Sequence, residues 1–277
     1  MNPILKAEGV SYRYPGTESP ALKDLELQIP AGKKVAICGH NGSGKSTFFL
    51  HAVGIHRPAS GSILWQGEPI VYRHAELRQL RQRIGLVFQD PEQQLILSTP
   101  YEDISYGLRN AGIGEAEIRR RTDRILASMR LEPLADKPMH HLSLGQKKRV
   151  ALAGVLVLEP ELLMLDEPTA YLDRSSEQQL VEELDRIHAG GMTVVMATHD
   201  MNLAYAWADW LLVLDRGACV LEGTPYEVFS RNKERMDSLG LEQPMLLELW
   251  ESLPERLRKD NTPLRHLSDF KDLLSGL

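Results

Sequence analysis

The nonapeptide GHNGSGKST, Gly39 to Thr47, sets glycine, lysine and hydroxyl residues at the spacing G-x-x-x-x-G-K-[ST]. It lies directly after the apolar run KVAIC and before the helical pattern FFLHAVG, the context in which such a loop handles phosphate. Gly39, Gly42 and Gly44 let the backbone curl. The amides of Asn41, Gly42, Ser43, Gly44, Lys45, Ser46 and Thr47 can then face phosphate oxygens, and the helix that follows adds its positive end. Lys45 suits the β- and γ-phosphates, and the Ser46 hydroxyl suits Mg²⁺. With glycine at its usual frequency, an accidental match in a chain this long arises about once in a hundred.

Further residues extend this chemistry toward hydrolysis. In LLMLDEP, an apolar strand ends in Asp166, which puts a carboxylate where parallel sheets bind ligands and predicts a hold on Mg²⁺ through water. Glu167, next along, is the candidate for orienting or deprotonating an attacking water. His199, in MATHD, stands at the end of another predicted strand, either touching the γ-phosphate and the water or acting as an ordinary satisfied polar residue. Gln89 has the same place after RIGLVF, and reads equally as a sensor of Mg²⁺ and nucleotide or as a strand cap.

A second anion is implied at HHLSLGQKKRV, residues 140–150. Ser143 and Gln146 read as a capping box that opens a helix, yet Lys147, Lys148 and Arg149 crowd its electropositive first turn. Something negative is expected there.

The positioning elements follow from hydropathy. KVAIC, RIGLVF, LLMLD, TVVMA and LLVLD are short continuous apolar runs, as strands buried on both faces of a parallel sheet require. Helical patterns between them predict an α/β fold. LKAEGV and LELQI, with turns at Pro15-Gly16 and Ala31-Gly32, predict an antiparallel layer. Ile118, Ile125, Leu126 and Met129 recur at helical spacing within an inserted helical subdomain at about 90–158. We divide the chain into a main domain at 1–222 and an appendage at 223–277. In the latter, Pro225 to Ser230, LEQPMLLELWESL and FKDLL predict helices.

The 277 residues are 43% hydrophobic, enough for a substantial core, and the net charge of -6 argues against a general nucleic-acid binder. Two cysteines supply no disulfide framework and fit a reducing compartment. No signal-peptide pattern opens the sequence, and the longest apolar run, Val150 to Leu158, is far short of the roughly 20 residues that span a bilayer. His140-His141 lacks companions for a transition-metal site.

GHNGSGKST, FQDPEQQ, LSLGQ, LLMLDEPTA and ATHD, in this order, resemble the nucleotide-binding domain of ABC transporters over about Ile4 to Gly223. The resemblance implies a P-loop NTPase core with an antiparallel β layer and a helical subdomain, ATP and Mg²⁺ as ligands, and ATP hydrolysis. Lys45, Gln89, Glu167 and His199 become catalytic candidates, and Ser46, Gln89 and Asp166 metal candidates. It also implies head-to-tail pairing of two ATPase chains, so that Ser143, Gly145 and Gln146 of one face the γ-phosphate held by the other. Tyr14, with Tyr12 as its competitor, matches the aromatic residue that stacks on adenine. Leu144 and Tyr171 stand where the family usually has glycine and a small residue.

Within the family, FQDPEQQL looks like the energy-coupling-factor (ECF) group. LSLGQKKRVALAGVLVLEP and GLEQP are most similar to ATPases of the cobalt and nickel importers. This implies a homodimer peripheral to the cytoplasmic face of the inner membrane, a groove near Gln89 to Leu97 for a partner's coupling helix, and integral coupling and substrate-binding subunits. The alternatives are a vitamin-importing ECF ATPase, a soluble ABC-type ATPase, a P-loop kinase or GTPase, and a regulatory subunit. The third lacks LSxGQ, and Glu167 and His199 speak against the last.

Overall fold

The computed structural model describes residues 2–258 and 263–275; the remainder of the predicted appendage, 259–262 and 276–277, lies outside the described residues. The strands are β1 (Pro3–Tyr12), β2 (Leu22–Pro30), β3 (Lys34–Cys38), β4 (Ser60–Trp65), β5 (Glu68–Pro69), β6 (Ile84–Val87), β7 (Leu162–Asp166), β8 (Thr193–Thr198), β9 (Trp210–Asp215) and β10 (Ala218–Gly223). The helices are α1 (Lys45–Ala52), α2 (His74–Arg83), α3 (Pro100–Asn110), α4 (Glu115–Ser128), α5 (Leu144–Leu156), α6 (Arg174–Ala189), α7 (Met201–Trp207), α8 (Pro225–Arg231), α9 (Lys233–Ser238), α10 (Met245–Ser252), α11 (Glu255–Arg258) and α12 (Leu267–Ser275).

One sheet runs β10-β9-β3-β8-β7-β6, parallel except for β10, and a second runs β2-β1-β4-β5, all antiparallel. The mixed α/β architecture expected from the apolar runs is present. The reason those runs lack polar alternation is now visible. Val35 and Ile37 of β3 face the core under the antiparallel sheet, while Ala36 and Cys38 face the core under the helices. The same split recurs in β7, where Leu162 and Met164 face one core and Leu163 and Leu165 the other. Side chains alternate with period 2, so both faces must be apolar when both are covered.

Between β6 and β7 the chain is helical. Ile118 and Leu126 of α4 are buried, with Met129 just beyond its end, and α5 buries Val150 through Ala153 and Leu156. In the appendage, Leu241, Leu247, Trp250 and Leu264 join the same core as Tyr205 and Trp207 of α7. No helix among the described residues is long and apolar enough to cross a membrane.

Candidate active site

The parallel register brings three strand ends to one edge. Cys38 of β3 pairs with Thr198 of β8, and Asp166 of β7 pairs with Ala197, so the residues that follow them emerge side by side. The Glu167 amide donates to the Ala197 carbonyl (3.0 Å), and Glu167 adopts φ +46°, which turns the chain sharply off its strand. At Gly39, φ is +148° and an added Cβ would lie 2.3 Å from the Leu214 carbonyl oxygen. Only glycine fits there.

These constraints gather three charged or titratable side chains. Lys45 Nζ is 3.7 Å from Glu167 Oε1 and donates to the carbonyls of Gly39 (2.6 Å) and His40 (3.2 Å). The other carboxylate oxygen of Glu167 is 2.8 Å from His199 Nδ1. Because a carboxylate accepts, Nδ1 carries the hydrogen and Nε2 is left for another partner. Glu167 is 8% exposed and His199 64%, so the carboxylate is held inside the fold while the imidazole meets solvent.

Asp166 sits beside this cluster. Burial is the main influence on its carboxyl and pushes its pKa up; the Ser46 hydroxyl and Lys45 pull it down, and Glu167 adds to the rise. Its Oδ1 is buried without a hydrogen-bond partner. A buried orphan carboxylate oxygen next to a serine hydroxyl is a hard-oxygen donor set. It fits Mg²⁺ that completes its coordination with phosphate and water. Among the described residues, no group of three or more His, Cys, Asp or Glu is arranged as an all-protein metal cage. Beneath the loop, burial pushes the Cys38 thiol up to about 12, which leaves it without nucleophilic character.

Tyr14 and Tyr12 part company in the structure. The Tyr14 hydroxyl is within 3.3 Å of Thr47 Oγ1 on α1. Tyr12 instead packs against the fully buried His51 and stacks on His56, with ring centroids at 4.6 and 5.0 Å. Tyr14 is therefore the ring tied to the phosphate loop's helix, and Tyr12 supports it edge-on at 5.1 Å.

Ser143, Gly145 and Gln146 lie elsewhere. The capping box is present: Ser143 accepts from the Gln146 amide (3.3 Å) and Gln146 accepts from the Ser143 amide (2.9 Å). These residues line a cleft of about 220 Å³ with Leu172, Ser176 and Gln179, and neither Lys45 nor Glu167 borders it. Gln89 is exposed beyond β6 and makes no hydrogen bond to the Lys45 cluster among the described residues. Tyr171 is 86% exposed with φ +63°, and Asp173 caps α6 by accepting from the Ser176 amide at 2.9 Å.

Each of the three cations in the basic cluster has a partner within the chain. Lys147 pairs with Glu92 at 2.5 Å, and Arg149 donates to the Met129 carbonyl. Lys148 is buried and donates to the carbonyls of Pro168 (2.8 Å), Ala170 (2.9 Å) and Glu167 (3.4 Å). Burial lowers its pKa to about 8, against the opposing pull of Glu167 and Asp90. Sequence reasoning missed Lys148 as the link between the Ser143 helix and the Glu167 turn. Its position four residues before the buried Leu152, on the helix's inner face, was the available signal.

Residues 22–170 match a family described as ABC transporter. The chain is 44% identical to the energy-coupling factor transporter ATP-binding protein EcfA3 of Clostridium perfringens, over 91% of this chain and 88% of that one. It is 43% identical to the cobalt import ATP-binding protein CbiO of Rhodobacter capsulatus, over 90% and 88%. Among solved structures, the ATP-binding cassette MJ0796, a dimer in a post-hydrolysis state bound to ADP and Pi, superposes with a TM-score of 0.70. It is 30% identical and the match covers 80% of this chain and 98% of that one.

Proposed function

The chain belongs to the ABC transporter ATP-binding family, as an ATPase of the ECF type, and from that premise we propose that it powers import of cobalt or nickel ions. In this reading two copies pair head to tail and are seated peripherally on membrane subunits. The supporting observation for the pairing is the separation within one chain of the Lys45 cluster from the Ser143 cleft.

Lys45 would leave the loop carbonyls for the β- and γ-phosphates, and the amides of residues 41–47 would cradle them. Glu167, braced by His199, would orient the attacking water and accept its proton, and His199 would offer its free nitrogen toward the γ-phosphate. Ser46 and Asp166 would hold Mg²⁺, with Gln89 drawn in as the dimer closes. When bound, that ion neutralises charge on the β- and γ-phosphates. Tyr14 would stack on adenine. Ser143, Gly145 and the helix N-terminus they open would then face the γ-phosphate of the second copy, with Gln146 keeping that terminus capped.

Coupling to the membrane would use the cleft of about 440 Å³ at Glu92, Leu95, Ile96, Met139 and His140, an apolar seat with a charged rim that suits an amphipathic helix. Cobalt as cargo is supported by the likeness to the CbiO protein, and the near-equal likeness to EcfA3 supports an ECF transporter for another solute. The cargo would be chosen by the membrane subunits. Cobalt-57 uptake by cells with and without this chain tests the cargo: loss of uptake on deletion supports cobalt, and unchanged uptake refutes it. Purified chain should hydrolyse ATP only with Mg²⁺ present.

A further inference from the structure

The phosphate loop makes one contact that the hydrolytic chemistry does not use. The exposed His40 side chain, between Gly39 and Asn41, places Nε2 2.6 Å from the Leu239 carbonyl, 199 positions away in the appendage. A carbonyl only accepts, so Nε2 donates. The next residue, Gly240, follows the C-cap of α9 with φ +66°, and an added Cβ there would stand 3.2 Å from the same Nε2. This close approach leaves little room between the α9 turn and the loop.

His40 is also the pivot of the loop's own backbone. Its carbonyl accepts from the Ser43 amide (3.1 Å) and from Lys45 Nζ (3.2 Å), so rotating the His40 peptide disturbs the turn and the lysine together. The appendage that grips it is itself firmly seated. Leu241, Leu247, Trp250 and Leu264 are buried against α7 and its surroundings. Arg265 donates to the Tyr205 carbonyl (2.9 and 3.1 Å) and to that of Ala208, and the Met245 amide donates to Asn202 Oδ1 (2.9 Å). Helix α7 starts two residues after His199, so one appendage clasps the chain just beyond two of the three strand ends that build the site.

We propose that His40 is a positioning residue through which the appendage holds the phosphate loop in its nucleotide-receiving shape. The appendage thereby sets nucleotide affinity and not the chemical step. This rests on the ATPase reading only for the identity of the nucleotide. Losing one hydrogen bond of ordinary net strength corresponds to a change of about two- to tenfold in affinity.

The test uses the full-length chain and ADP as probe, by titration calorimetry, alongside steady-state ATP hydrolysis. His40→Ala is expected to raise the ADP Kd and the ATP KM together by about two- to tenfold, with kcat within about twofold and the thermal midpoint within about 2 °C of the parent. His40→Gln, whose side-chain amide can donate to the same carbonyl, should recover most of that affinity. Gly240→Ala should reproduce the loss, and the double variant should lose no more than either single one. Unchanged ADP affinity in His40→Ala would overturn the proposal. So would an affinity loss fully accounted for by a lowered thermal midpoint, or losses that multiply in the double variant. Wild-type chain that binds ADP with this pattern but hydrolyses no ATP would instead contradict the ATPase reading and leave the coupling standing.

Discussion

Around Lys45, three strand ends bring a cation and an imidazole onto one buried carboxylate within one chain. Around Ser143, a capped helix terminus opens onto a cleft whose lining includes no carboxylate, and its own three cations are bound to internal acceptors. The first region gathers its titratable groups within one chain. The second offers a capped helix terminus with no carboxylate beside it, as the proposed shared site requires. Lys148 is the mechanical tie between them, since it fastens the Ser143 helix to the backbone that carries Glu167.

The largest effect is expected on the Lys45 side. Glu167→Gln keeps the shape and a hydrogen bond to His199 but removes the carboxylate proposed as the base. ATP hydrolysis should fall by about 10²- to 10⁴-fold while ATP binding stays within a few-fold. A variant that turns over at a tenth of the parent rate or better would mean that the base lies elsewhere.

Next comes the open side. Ser143→Asn retains an oxygen suited to cap the helix, whereas Ser143→Ala loses the cap at a cost of about 1 kcal/mol. If Ser143 served only as a cap, Asn would hydrolyse ATP normally. The shared-site account predicts that Ser143→Arg, which fills the cleft, loses on the order of a hundredfold in turnover with ADP affinity intact. Equal turnover in all three variants would erase the contrast between the regions.

The smallest effect concerns the tie. Burial holds the Lys148 pKa at about 8, below its ordinary value of 10.5. Between these values the unfolded chain binds more protons than the folded one, so this group's contribution to stability rises with pH across that window. Denaturant titrations from pH 7.5 to 10 should therefore show the wild type gaining stability relative to Lys148→Met. A parallel pH dependence in the two proteins would show that the buried amine is not what titrates.

Much of this was legible because it is local. Strands β3, β7 and β8 appear as unbroken apolar runs since both faces are covered, and the phosphate loop is a contiguous pattern. The capping box needs only Ser143 and Gln146. Strand β4 escaped notice because SGSILW has a glycine and two serines in six residues and earns its place only by pairing with β1. The partners of Lys148 lie about twenty positions away and are backbone carbonyls, which any sequence supplies. The contact of His40 with Leu239 spans most of the chain and leaves no local trace.

The claim that one catalytic pocket needs two chains is tested most directly by mixing. Lys45→Ala and Ser143→Arg proteins should each be nearly inactive alone. If two copies pair head to tail, half of the dimers in an equal mixture carry one intact pocket, the Lys45 of one chain facing the Ser143 of the other, and activity should return to about a quarter of the wild-type rate per chain. A mixture no more active than its components, or a Ser143→Arg protein that hydrolyses ATP at the wild-type rate by itself, would contradict the claim.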